Sequence, residues 1–510
     1  MNHDYFLPIS PDEMNQRGWE QADIILVTGD AYIDHPSFGA AVIGRWLEHH
    51  GYRVGIVSQP RSDQDFLRLG HPRLWWGVTS GNMDSMVCHY TSLKKIRHDD
   101  AYTPGGRAGM RPDRAIIHYC QQLRRLSKGI PLVIGGIEAG LRRVAHYDYW
   151  SETIKHPIIL DAKADILVYG MGESAVLEIT RAIDHHRDYR SIRGIAYVVT
   201  RDSDLPEQGV LPEQGVLPEQ GVLPEQGVLT EQDAHPEPVA RPEPVARPDN
   251  RFRGCSSLPW IRVDLPSFEA IKADPKALME TTLTCLEKFR PDYRMVQACE
   301  KRWVVINPPQ PPLSESGMDA VYDLPYRYLP HPSYREAIPA FEMIRFSVTI
   351  SRGCPGGCSF CALSLHQGRI VQSRSPSSIV REIDRLRHQP GFKGYIKDLG
   401  GPTANLYRVH YRNPDQCRRC RRLSCLFPSL CSNFQFDSDL LIDLYRRVRR
   451  IPGIKKAFVT SGIRYDLVTT AYLKELVQHH ISGQLKIAPE HLAPHVLELM
   501  HKPSRQVLES

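Results

Sequence analysis

The sequence predicts an α/β protein in two parts. The N-terminal part is a doubly wound parallel sheet, and the C-terminal part is a partial β/α barrel. Three observations predict this. Apolar runs ending in Gly-rich turns alternate with amphipathic helical stretches over the first 200 residues. The same alternation resumes at Arg345. Between them lies a low-complexity stretch that has nothing to bury. With 510 residues, 41% of them hydrophobic, the chain is long enough for more than one domain.

In residues 1–200, Asp23–Asp30, Tyr52–Ser58, Arg73–Ser80, Ile130–Ala139 and Ala164–Glu173 read as buried strands. His35–Gly51 reads as an amphipathic helix closed by a glycine. Strands followed by Gly-rich turns and helices argue for a parallel, doubly wound sheet. Such sheets bind ligands beyond the C-terminal ends of their strands. Here those ends are the loops "TGDAYIDHPSFG", "TSGNMDS", "GGIEAG" and "GMGES".

From Leu205 a six-residue unit repeats, "LPEQGV" four times and then looser copies ending at Ala246. Proline in most units blocks regular helix, so residues 201–250 read as a linker. Residues 251–340 read as a connecting region, helical in "FEAIKADPKALMETTLTCLEKF" and extended in "VVINPPQPPLS". Residues 341–510 hold four further strands: Arg345–Ile350, Gly394–Gly400, Lys456–Gly462 and Gly483–Glu490. Ser375–Gln389 is a helix with a serine cap and proline at its first position. In a β/α series the reactive groups sit at the C-terminal strand ends.

A net charge of +6 is too small to argue for nucleic acid by itself. No apolar run approaches the roughly 20 residues of a membrane helix. The N-terminus lacks the basic-then-apolar order of a signal peptide. The chain therefore reads as cytoplasmic, with no membrane partner. In a reducing compartment its twelve cysteines read as metal ligands, reactive thiols or buried hydrophobes rather than disulfides. Seven of the twelve fall between Cys354 and Cys431, which favours metal.

Cys354, Cys358 and Cys361 directly follow a strand, spaced C-x3-C-x2-C in "SRGCPGGCSFCALS". Pro355, Gly356 and Gly357 let the backbone turn so that three thiolates converge. Three ligands leave one metal position open to a substrate. The alternative is a zinc site completed by His366. With Phe360 in its aromatic slot, the motif resembles the radical S-adenosylmethionine (radical SAM) superfamily. The resemblance implies a [4Fe–4S] cluster whose open iron binds S-adenosylmethionine. It implies reductive cleavage to methionine and a 5′-deoxyadenosyl radical, which takes a hydrogen atom from a substrate. A reductant such as flavodoxin or ferredoxin is implied as well.

Gly400 and Gly401, in "KDLGGPTAN", match the family's turn for the methionine amino group, with Pro402 where many members have Glu. Ser461 and Arg464, in "TSGIRYD", resemble positions that contact the ribose or carboxylate. Glu490 and His491 follow the fourth strand and either face the site or cap the next helix. Taken from Val27 to His491, the motifs resemble the YgiQ-type radical SAM proteins. The N-terminal sheet is similar to cobalamin-binding domains, which leaves cobalamin open as a cofactor. In "DHPSFG", Asp34 reads as a helix cap and His35 as a weak match to a cobalt ligand. Relatives have six barrel strands, so a chain stopping after four is expected to be a fragment or a truncated form.

Cys417, Cys420, Cys425 and Cys431 form a second set, C-x2-C-x4-C-x5-C. They read as a closed metal site, either zinc or an auxiliary iron–sulfur cluster, or as unrelated thiols. Arg418, Arg419, Arg421 and Arg422 would offset thiolate charge. The leading reading is a radical SAM enzyme on an unknown substrate, RNA or a small molecule. "YRRVRRIPGIKK" (Tyr445–Lys456) either meets phosphates or is a solvated helix face. The alternative reading is a non-catalytic iron–sulfur or zinc protein.

Overall fold

The computed structural model describes residues 5–207 and 260–509, apart from 482 and 484. The repeats of the linker lie almost wholly outside the described residues.

A nine-stranded sheet organises the first 306 residues. Its strands are β1 (Ile24–Thr28), β2 (Val54–Ser58), β3 (Trp75–Thr79), β4 (Leu132–Gly135), β5 (Ile166–Val168), β6 (Ile195–Val199), β7 (Ile261–Leu265), β8 (Tyr293–Cys299) and β9 (Arg302–Ile306). They lie in the order β7-β8-β9-β6-β5-β4-β3-β1-β2. From β2 to β5 every pairing is parallel, with Thr28 beside both Ser58 and Thr79. All five residues of β1 are buried, as expected for a strand covered on both faces. The chain runs from β1 to β2 on one side, then returns to β3 on the other. The winding therefore reverses between β1 and β3.

Three expectations are corrected here. The sheet is mixed rather than wholly parallel: β6 pairs antiparallel with β5 and with β9, and β8 pairs antiparallel with β9. Residues 251–340 do more than connect, because β7, β8 and β9 extend this sheet. The β8–β9 hairpin turns through Glu300 and Lys301, with Glu300 at φ 55°. It carries none of the Asn-Gly or Asp-Gly signals that mark tight hairpins. The stretch expected to be helical holds two helices, Phe268–Ala273 and Pro275–Lys288, divided at Asp274, which caps the second.

The C-terminal series keeps neighbour order equal to chain order. Ser347–Thr349 pairs parallel with Asp398–Gly400, Tyr395–Ile396 with Lys456–Ala457, and Ile463 with Ile487. These ladders are shorter than the sequence predicts, and the third is a single bridge. Helices Pro376–Arg387, Ser438–Arg449 and Thr470–His479 lie between them, capped by Ser375, Asp437 and Thr469.

The two parts share a core. One apolar cluster runs from Leu26, Val133 and Ile166 through Tyr322, Tyr326 and Tyr328 to Val348, Ile350, Ile396 and Leu399. Burying side chains of this kind contributes about 1.5–3 kcal/mol each. A buried ion pair also ties them together: Arg352 beside the cysteine loop meets Glu173 of the "GMGES" loop, both at most 5% exposed. No helix among the described residues is long and apolar enough to cross a membrane.

Candidate metal and cofactor site

The cysteine loop leaves the strand at Ser351–Arg352 and turns at Gly353. That turn needs glycine: φ is +83°, and a Cβ there would fall 2.1 Å from the Ile370 carbonyl oxygen. The Cys354 N–H donates to the Gly368 carbonyl at 3.1 Å, and the Cys361 N–H to that of Cys358 at 3.0 Å. Gly356 keeps a cradle open between the sulfurs. A Cβ on it would sit 3.4 Å from Cys354 Sγ, 3.7 Å from Cys358 Sγ and 3.2 Å from Arg464 Nη1. Two thiols and a cation thus face one small space, a donor set suited to a metal–thiolate centre. Burial pushes the Cys358 thiol up, while Lys502 and Arg464 pull it down.

The neighbouring strand ends close around this loop. Thr403 Oγ1 lies 3.4 Å from Cys354 Sγ. Gly400 accepts the Ile350 N–H at 2.9 Å through its carbonyl. A Cβ on Gly400 would meet Ser461 Oγ at 2.9 Å, and one on Gly401 would meet Ser351 Oγ at 2.5 Å. Close packing therefore demands both glycines. The Ser461 hydroxyl donates to Asp398, whose carboxylate also accepts the Thr460 N–H at 2.7 Å. Arg464 is gripped by Asp466 through two bonds of 2.9 and 2.8 Å, which leaves Nη1 4.0 Å from Cys358 Sγ. Asn405 fixes the Arg464 backbone from both sides, accepting its N–H and donating to its carbonyl, each at 2.9 Å. Phe360 is 52% exposed, with the Lys502 ammonium 5.6 Å from its ring centre. Lys502 also donates to the Ala488 carbonyl and to Glu490. His491 accepts the Ala493 N–H at 2.9 Å, a backbone contact at the mouth of the next helix.

Sequence reasoning passed over Thr403, Asn405, Asp398 and Lys502. The first two stand inside the quoted "KDLGGPTAN" loop, but Thr and Asn in a turn read as ordinary turn formers. His366 lies toward the N-terminal sheet, 3.8 Å from a Cβ built on Gly140. Among the described residues no three His, Cys, Asp or Glu side chains close around a single ion.

The second cysteine set has a role no spacing revealed: its loop braces the first. The Cys425 N–H donates to the Pro355 carbonyl at 3.0 Å. The Ser424 hydroxyl reaches the Gly356 carbonyl at 2.7 Å and that of Pro355 at 3.3 Å. Gly357, at φ +58°, has the Leu423 carbonyl oxygen 2.5 Å from where a Cβ would sit. From the other side, Ser359 Oγ donates to the Leu499 carbonyl at 2.7 Å.

The strand ends of the N-terminal sheet look different. At the β1/β3 reversal, where such folds hold ligands, the fully buried Arg111 fills the space. Its guanidinium pairs with Asp100 at 2.8 Å and Asp30 at 2.9 Å, and donates to the Ser80 carbonyl at 2.7 Å. Burial raises Asp30 to about 6. His35 is fully buried, edge-on to Tyr328, with Nδ1 accepting the Ser37 N–H at 3.1 Å. It presents no nitrogen at the surface for a cobalt ion. Asp34 does not cap a helix. The following helix, Gly39–His49, starts too far on, and Asp34 instead pairs with the buried Arg45.

Residues 6–347 match the family model described as radical SAM N-terminal, and residues 348–509 match the radical SAM superfamily model. The chain is 46% identical to the UPF0313 protein YgiQ of Escherichia coli K12 over 512 residues, 98% of this chain and 69% of that protein. It is 46% identical to YgiQ of Salmonella typhimurium over 514 residues, 98% and 70% of the two chains. A putative UPF0313 protein of Yersinia pestis is also 46% identical, over 98% of this chain and 65% of its own length. The chain thus spans about two thirds of the length of these curated relatives. Among solved structures it is similar to the radical SAM methyltransferase TsrM of Kitasatospora setae, at 14% identity and TM-score 0.46. That match covers 93% of this chain and 61% of TsrM.

Proposed function

This chain belongs to the UPF0313, YgiQ-type family of radical SAM proteins, and from that premise we propose that Cys354, Cys358 and Cys361 hold a [4Fe–4S] cluster with which the protein cleaves S-adenosylmethionine. The family implies both the cluster and S-adenosylmethionine. The observation that supports this site is the cradle at Gly356, flanked by the Cys354 and Cys358 thiols and the Arg464 guanidinium, with Cys361 close enough to act on Cys358.

Such a cluster, reduced, supplies the one electron that splits the sulfonium of S-adenosylmethionine into methionine and a 5′-deoxyadenosyl radical. The residues around it hold and orient. Arg464, pinned by Asp466, sets a fixed positive charge beside Cys358. Lys502 adds a second. The Gly400–Gly401 turn, held by Ser351 and Ser461, brings bare backbone to the strand ends. Asp398 keeps Ser461 and Thr460 in register. The exposed face of Phe360 is available to an adenosyl group. The basic helix Ser438–Arg449 ion-pairs Arg446 and Arg449 with Glu475.

The test is to reconstitute the protein with iron and sulfide anaerobically, reduce it, and measure 5′-deoxyadenosine by mass spectrometry. Release that disappears when Cys354, Cys358 and Cys361 are all changed to Ala is expected. Release that persists would overturn the ligand assignment. A loaded cluster with no release would favour a non-catalytic protein.

A further inference from the structure

We propose that Cys417, Cys420, Cys425 and Cys431 hold a second, separate metal–thiolate centre that fixes the loop bracing Cys354–Cys361. The inference goes beyond the proposed S-adenosylmethionine chemistry and does not depend on it.

Two independent observations carry it. The first is how the sulfurs are held. Cys417 Sγ accepts a hydrogen bond from Asn433 Nδ2 at 3.0 Å, and Asn433 is only 7% exposed. Asn433 is itself locked, donating to the Asn413 carbonyl at 2.8 Å and accepting the Asn413 N–H at 2.7 Å. Cys420 Sγ accepts the Arg422 N–H at 3.4 Å, two residues on. Donors aimed at sulfur are how proteins settle metal-bound thiolates. Cys425 and Cys431 are joined through backbone, the Cys431 N–H donating to the Cys425 carbonyl at 2.8 Å. Both pack on a small apolar cluster of Val371, Leu406, Val409, Leu426, Phe434 and Leu467.

The second observation is charge. Two guanidinium groups enter this loop and find only carbonyl oxygens. Arg369 donates to the Arg422 carbonyl. Arg422 donates to those of Ser424 at 3.1 Å and Phe427 at 3.2 Å, and to that of Ser429. Among the described residues neither makes a salt bridge. Partly buried arginines without a carboxylate are costly, and thiolates bound to metal supply the missing negative charge. Four thiolates suit either an iron–sulfur cluster or a single zinc ion.

The test uses the full chain with Cys354, Cys358 and Cys361 changed to Ala, purified without oxygen. Iron, zinc and acid-labile sulfide are measured per chain. One centre per chain is expected, lost at least tenfold on adding Cys425→Ser and Cys431→Ser. Iron with sulfide means a cluster, and zinc alone means a single ion; either supports the site. Because the further substitutions could unfold the loop, thiol alkylation is mapped by mass spectrometry on the starting variant. Cys417, Cys420, Cys425 and Cys431 should resist alkylation until a chelator is added. No metal in the starting variant, or alkylation indifferent to chelator, overturns the proposal. The proposal on S-adenosylmethionine is judged on the wild type, so the two can fail separately.

Discussion

Two sets of parallel strand ends occupy one molecule, and they are finished in opposite ways. At the β1/β3 reversal the chain fills its own crevice, with Arg111 paired to both Asp30 and Asp100. At the ends of the C-terminal strands, side chains are held just as firmly, yet the thiols are not used up. Arg464 is clamped by Asp466 and Ser461 by Asp398, and the Cys354 backbone N–H donates to the Gly368 carbonyl. Gly356 then keeps the space between the sulfurs clear. The contrast teaches that position in the fold offers a site, and the balance of charges and donors decides whether one is built.

The comparison breaks most severely if the cysteine loop is dispensable. Changing Cys354, Cys358 and Cys361 to Ala is expected to abolish 5′-deoxyadenosine release. Next in size are the buried pairs. Glu173→Gln strands Arg352 in the core and is expected to cost about 3–5 kcal/mol in urea unfolding. Arg111→Met strands Asp30 and Asp100 at a similar cost, about 3–5 kcal/mol. It should leave 5′-deoxyadenosine release per folded molecule unchanged, because that crevice is structural. A selective loss of release in Arg111→Met would erase the distinction between the two regions.

Gly356→Ala sharpens it: the new methyl enters the cradle, so iron loading should fall while the melting temperature hardly moves. An effect that is small near neutral pH and grows in acid concerns His35. Burial holds it neutral, its pKa lowered from the ordinary 6.5 to about 3. The unfolded chain then binds the extra proton first, so stability falls as pH drops from about 6.5 toward 3. His35→Phe should flatten that acid limb in urea titrations read by circular dichroism.

Much of the architecture was legible because local signals agreed. The strands around Ile24–Thr28 and Trp75–Thr79 are continuous apolar runs, and Ser375-Pro376 announces its helix. The cysteine loop was placed correctly after its strand because spacing and glycines act locally. What stayed hidden was nonlocal. Asp34 looked like a cap because Arg45, its partner, stands eleven residues on. The strands β7–β9 hid because their partner β6 lies across the low-complexity segment, and the β8–β9 turn lacks glycine. That Ser424 and Cys425 hold the first cysteine loop could not be read from spacing, because their contacts are to backbone carbonyls about seventy residues earlier.

The most direct measurement is Mössbauer spectroscopy of the protein loaded with iron-57, before and after S-adenosylmethionine is added. Three protein thiolates leave one iron of the cluster free to bind it. The account predicts that the signal of a single iron shifts on addition while the rest stay fixed. A fully loaded cluster whose spectrum does not change would contradict it.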